Sequence, residues 1–114
     1  MFFSFSSRFL FFSILTISIP ANLVFADTVR KEATFYSDAF EGSRTANGDT
    51  FHQASYSAAL CDVPLGSYVY ASYGSTGIVL DANDRPNCSR YPDVIDISRD
   101  AFERFAPLSR GRLA

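Results

Sequence analysis

After residue 26 the apolar and polar positions fall into short, strand-sized stretches separated by turn-forming residues. Within residues 30–36, Ala33 and Phe35 fall on one face of an expected strand and Thr34 and Tyr36 on the other. Residues 68–73 form the clearest strand, and Gly74-Ser75-Thr76-Gly77 turns it back into a second one at 78–82. Residues 94–97 are a short apolar strand, and 55–60 fit a short strand or a turn of helix. Ser98 is a good N-cap for a helix over residues 99–105, with Asp100 in its first turn and Phe102, Phe105 and Ala106 on one face. Pro107 stops that helix, and the tail after Gly111 supplies one last short strand. The sum is an all-β domain with one short helix near its end, which favours a closed barrel over a layered α/β fold.

Two polar segments interrupt this pattern. Residues 37–50 are rich in Gly, Ser, Asn and Asp and have no apolar period; residues 83–92 contain Pro86 and Pro92 and are expected to lack regular structure. Each carries a carboxylate in a turn-forming sequence, Asp49 in one and Asp84 in the other. Loops on a rigid scaffold carry binding and catalytic groups, and a long ordered loop in a small domain is more often functional than idle. One site built from both loops is the expectation, with a structural turn carboxylate as the plainer role for Asp84. Tyr36 and Tyr91 lie beside the loops and are candidates to stack on a sugar, whereas Tyr68 and Tyr70 read as half-buried packing. Adjacent strand residues face opposite ways, so Arg85 is expected to pair away from Asp84, with Asp96 or Asp81.

Composition changes the picture at the N-terminus. Residues 1–26 read as an export leader: Arg8 is the only charge, residues 9–19 are almost wholly apolar, Pro20 ends the run, and Val24-Phe25-Ala26 precedes a cleavage point before Asp27. The run is too short to span a hydrocarbon layer about 30 Å thick, so no stable membrane anchor is expected after cleavage. No cysteine stands where a lipoprotein would need one, which leaves a periplasmic or secreted domain at residues 27–114. Its nine Lys and Arg against twelve acids make it mildly acidic, a poor nucleic-acid binder. Cys61 and Cys88 are the only cysteines and His52 the only histidine, so a four-ligand zinc site lacks donors. A disulfide between the two cysteines is the reading that an oxidising compartment favours. No metal or cofactor is expected.

The order of motifs carries more. Ala33-Thr34-Phe35-Tyr36, then Arg44-Thr45-Ala46-Asn47-Gly48-Asp49, then Pro64-Leu65-Gly66-Ser67-Tyr68-Val69, then Val79 through Asn83-Asp84-Arg85, then Val94-Ile95-Asp96-Ile97-Ser98-Arg99 resembles the rare lipoprotein A family. That resemblance implies a six-stranded double-psi β-barrel related to expansins and barwin. It also implies a lytic transglycosylase, a carbon–oxygen lyase that cuts peptidoglycan glycan strands during cell wall organisation. On that reading Asp84 is the catalytic acid, with Asp49 assisting. Tyr36, Asn47, Asn83, Arg85 and Tyr91 contact the glycan, and the protein acts as a monomer. A non-catalytic expansin-like wall-binding module is the alternative. Leu60 favours it, because the family commonly places histidine after the Ala58-Ala59 pair and leucine cannot relay a proton. The segment after Gly111 is shorter than the family's final strand.

Overall fold

The computed structural model describes residues 1–6 and 26–114; the apolar run of the expected leader, residues 9–19, lies outside them. Among the described residues seven strands share one sheet: β1 (Phe2–Ser6), β2 (Ala26–Arg30), β3 (Glu32–Phe35), β4 (Ser57–Ala59), β5 (Ser67–Tyr73), β6 (Thr76–Asp84) and β7 (Val94–Ile97). Their order is β2-β1-β5-β6-β4-β7-β3, and one helix, α1 (Arg99–Phe105), packs on the sheet. The hairpin β5–β6 forms where the turn residues predict it. Tyr73 pairs with Thr76 across a two-residue turn in which Gly74 takes φ 59°, a left-handed conformation that costs glycine nothing.

The main core lies on one face of this sheet. Ala33, Leu60, Val69, Leu80, Ile95, Ile97 and Phe102 are fully buried there, and the Phe35 ring meets Phe102 edge-on at 4.7 Å between centroids. Alternation along β3 behaves as expected. Ala33 and Phe35 face this core, while Tyr36 joins a smaller cluster with Phe51 and Ala59. Burial of a ring the size of Phe102 contributes about 2–3 kcal/mol, so the helix is held mainly by its apolar face rather than by its seven residues of propensity.

Four expectations are corrected. The strand over 30–36 is broken at Lys31, whose buried ammonium donates to Pro92 O at 2.6 Å and pairs with Asp62. A buried charge has to be paired, and turning Lys31 inward divides the strand into β2 and β3. Strand β6 does not stop at Ala82 but includes Asn83 and Asp84. Ser98 sits at the N-cap of α1 without a side-chain capping bond. Gln53, from a distant loop, accepts the Arg99 N–H on Oε1 (2.7 Å) and the Asp100 N–H on its carbonyl (3.2 Å). The last strand is reduced to one antiparallel bridge, Leu113 to Ala33. Phe2–Ser6 of the expected leader forms a strand beside the six that follow it, β2 to β7.

Cys61 and Cys88 are disulfide-bonded with Cα atoms 5.8 Å apart, which points to an oxidising, extracytoplasmic compartment. No helix among the described residues is long and apolar enough to cross a membrane. Tyr68 and Tyr70, expected to be half-buried, stand exposed on β5.

Candidate functional site

A β-bulge creates the site. Strands β4 and β6 run parallel, with Ser57 opposite Asp81 and Ala58 opposite Ala82, but Ala59 lies opposite Asp84. Asn83 is the extra residue. On simple alternation Ile78, Leu80, Ala82 and then Asp84 would all face the core. The bulge turns Asp84 to the other face instead, a use bulges commonly have beside active sites. Ala59 also pairs with Asp96 on β7, and Asp96 pairs with Thr34 on β3. One row therefore crosses four strands: Asp84, Ala59, Asp96, Thr34. Neighbouring strands lie about 4.8 Å apart, so the two carboxylates start from backbones about 10 Å apart, on either side of Ala59, against which Tyr36 packs. Any larger residue at 59 would stand between them.

The row is anchored on both sides. Asp84 Oδ2 accepts the Tyr36 hydroxyl at 2.7 Å, and Oδ1 accepts the Ala46 N–H at 2.8 Å. The second bond ties in the loop 37–53. In that loop Asn47 Oδ1 accepts from Thr45 Oγ1 (2.8 Å) and from the Asp49 N–H (3.1 Å), while the Asn47 N–H donates to Asn83 O (3.1 Å). Gly48 completes the turn at φ 94°, a conformation that disfavours a side chain. Beneath it Gln53, almost wholly buried, donates through Nε2 to Tyr36 O (2.8 Å) and to Asp38 Oδ1 (3.0 Å). Its own N–H donates to Glu41 Oε1 at 2.9 Å. The Glu41 carboxyl sits below its ordinary range because of that backbone bond and of His52 Nδ1 at 2.7 Å.

Electrostatics separate the groups of the row. Burial raises the Asp96 carboxyl to about 6, with the Asp84 charge adding to the rise and the Thr34 Oγ1 bond (3.1 Å) opposing it. Burial, the bond to Asp84 and the charges of Asp84 and Asp96 push the Tyr36 hydroxyl far upward, so it stays a donor. Two carboxylates that share a site resist double ionisation. The arrangement keeps the Asp96 proton up to about pH 6, beside an Asp84 whose two side-chain oxygens both accept hydrogen bonds.

The structure brings together Asp84, Tyr36, Asn47 and Asn83. Asn83 is buried, and its Oδ1 has no hydrogen-bond partner among the described residues. Tyr36 is also buried, against Phe51 and Phe40, and offers no open ring face. Asp49 is exposed, and the charge it perturbs is Asp81, whose carboxyl is raised by burial and then by Asp49. Tyr91 lies just beyond Cys88, exposed, with the Arg90 guanidinium 5.3 Å from its ring centroid. Arg85 pairs with neither Asp96 nor Asp81. It donates to Leu60 O (2.8 Å) and to Val63 O, because those carbonyls are the unpaired acceptors within its reach. Leu60 is fully buried in the main core. Asp96 is the residue that motif reading missed as a site group. Its signal was the isolated acid inside the apolar run Val94-Ile95-Asp96-Ile97. No three His, Cys, Asp or Glu side chains among the described residues are placed to hold a metal ion.

A family model described as lytic transglycolase matches residues 28–114. An uncharacterised protein of Synechocystis sp. (strain PCC 6803) is 38% identical over 85 residues, covering 73% of this chain and 89% of that protein. The endolytic peptidoglycan transglycosylase RlpA of Haemophilus influenzae is 30% identical over 81 residues, covering 69% of this chain but only 28% of its own length. Among solved structures, the Streptomyces papain inhibitor superposes with a TM-score of 0.61 at 27% identity, over 75% of this chain and 86% of the inhibitor. The match over residues 28–114 shows the family: the chain belongs to the lytic transglycolase family, among relatives of rare lipoprotein A.

Proposed function

We propose that this protein is an exported endolytic peptidoglycan transglycosylase, cleaving the MurNAc–GlcNAc bond of glycan strands to leave 1,6-anhydro ends in cell wall organisation and daughter-cell separation. The observation that carries the reading is the row Asp84–Ala59–Asp96, two carboxylates on either side of Ala59 with the Tyr36 hydroxyl on Asp84. The reaction needs a proton delivered to the departing glycosidic oxygen and a base for the sugar's 6-hydroxyl as it attacks the anomeric carbon. No water enters, so one proton leaves the carboxylate pair and one returns. Asp84 is the catalytic acid and base. The Asp84 carboxyl proton goes to the departing glycosidic oxygen and the 6-hydroxyl proton returns to it, while Asp96 lies across Ala59 and Tyr36 fixes the orientation of Asp84. Asn47, Asn83 and Tyr91 contact the glycan, and Asp49 assists from the loop. Arg85 supports the backbone of residues 60–63.

The reading extends to the fold and the cellular setting. Strands β2 and β3 stand at opposite ends of the strand order yet are joined by Lys31 alone. That supports a sheet rolled into a double-psi β-barrel. Removal of residues 1–26 on export would leave a monomeric domain in the periplasm or outside the cell, without cofactor or membrane anchor.

The test is to incubate the protein and an Asp84→Asn variant with peptide-free glycan strands and to seek 1,6-anhydro-muramyl ends by mass spectrometry. Product from the wild type, with a loss of about 10²–10⁴-fold in the variant, supports the enzyme. One observation favours a second reading, a non-catalytic wall-binding module: Leu60 is packed in the core where the family commonly has histidine. Equal binding of strands by both proteins with product from neither would select the module.

A further inference from the structure

The first residues of the chain fill a slot with two walls. Strand β1 lies between β2 and β5, antiparallel to both; Phe3 pairs with Val29 on one side and Ala71 on the other. Met1 and Phe3 are buried in the main core, while Phe2 between them is exposed beneath the Arg30 guanidinium at 5.4 Å. Ser4 Oγ meets Thr28 Oγ1 at 3.2 Å. The alternation of β1 is therefore that of a strand with one face in the core.

A second piece of chain follows the same line. Ala33 exchanges both backbone hydrogen bonds with Leu113, at 2.7 and 2.9 Å, and the Lys31 N–H donates to Met1 O at 2.9 Å. Both bonds leave the same flank of residues 31–33, because N–H groups two apart in a strand point the same way. Leu113 and then Met1–Ser6 thus run in one direction along that flank, as two segments of a single strand position. The sheet accepts a strand there that is not continuous with its neighbour in that position.

We infer that this position is a strand-acceptor site. It is occupied in cis by Met1–Ser6. When cleavage before Asp27 removes β1, it takes an extended segment of a partner polypeptide, antiparallel to β5, with apolar side chains at alternate positions where Met1 and Phe3 sit. The trans occupancy rests on the export reading; the acceptor property does not. The occupant must bring two free edges, since β2 and β5 each pair with one of them. In a folded second copy β3, β4, β5, β6 and β7 each have an edge already engaged. The arm around Asp27-Thr28-Val29-Arg30 has only Val29 as an apolar residue, and so lacks the required pair. A partner's unpaired extended segment meets both conditions, by the same backbone pairing that other sheets use to capture peptides.

The test uses the full chain and a fluorescent synthetic hexapeptide of residues 1–6. Phe3→Asp puts a charge into the core and expels β1. Phe3→Ala is a second variant that weakens β1 without a buried charge. In amide exchange, the β5 groups facing β1 should lose protection at least about tenfold in Phe3→Asp, while β6 and β7 keep theirs, and added peptide should restore it. The variant should bind the peptide saturably, at least about tenfold tighter than the native chain, whose site is already filled. A peptide carrying Phe3→Asp should bind neither. Equal binding by native and variant chains overturns the proposal, as does β5 protection that persists in a monomeric variant without peptide. A variant that dimerises and regains β5 protection makes a second copy the occupant and overturns the choice made here. Loss of β6 and β7 protection in both Phe3 variants would make β1 an obligatory part of the fold, and would overturn it as well.

Discussion

The two polar loops beside Asp84 are held by different means. Residues 85–93 are pinned covalently, Cys88 to Cys61, and their backbone makes few hydrogen bonds beyond the turn in which Arg90 and Tyr91 donate to Asn87 O. Residues 37–53 have no covalent link. They are held by Gln53, which touches Tyr36, Asp38, Glu41, Arg99 and Asp100, and by the Asn47 turn. The crosslink acts chiefly by restricting the unfolded chain, whereas the hydrogen-bonded loop acts within the folded state. Only the second kind of support reaches the atoms of the site, through the Ala46 N–H on Asp84 and through Tyr36.

That contrast can be broken from either side. Replacing Cys61 and Cys88 by serine should cost about 3–4 kcal/mol of stability, read by urea unfolding, with little change in the geometry around Asp84. Gln53→Leu should cost about 2–3 kcal/mol, because it removes the side-chain partner of Tyr36 O, Asp38 and the Arg99 N–H, tying two segments, at once. It should also speed amide exchange at Ala46 and at the start of α1, which the disulfide variant should not.

Asp96→Asn should act in opposite directions on activity and stability. The Asp96 carboxyl is raised in the folded protein to about 6, against about 3.9 when unfolded, so the folded state binds the extra proton between those values. Its contribution is fully present below pH 4 and lost as pH rises through 6. At pH 7 the variant should therefore be more stable, on the order of 2 kcal/mol after allowance for solvent screening, while glycan cleavage falls. The smallest effect is expected from Tyr36→Phe. Loss of one hydrogen bond to Asp84 should cost about 1 kcal/mol, and turnover should drop with little change in strand binding.

Much of the fold was legible because it rests on local alternation. The faces of residues 33–36, the 74–75 turn and the apolar side of the helix all follow from side-chain period. The site was only half legible. Asp84 stood out by motif, yet its direction depends on an unmatched Asn83, and a bulge is a property of two paired strands rather than of one sequence. Asp96 was visible as an odd acid in an apolar strand, but its proximity to Asp84 comes from Ala59 lying between β6 and β7. Arg85 was misassigned because alternation says which way a side chain leaves the strand and not which carbonyls wait there. Phe2–Ser6 reads as part of a leader from composition alone; its fit between β2 and β5 depends on contacts far along the chain.

The central claim is that burial, helped by the Asp84 charge across Ala59, holds the Asp96 carboxyl above its ordinary range. Carboxyl carbon-13 NMR titration of Asp96, in the wild type and in Asp84→Asn, tests it directly. The account predicts a wild-type midpoint near 6 that falls when the Asp84 charge is removed. An Asp96 that titrates near 4, or whose midpoint is the same in both proteins, would contradict it.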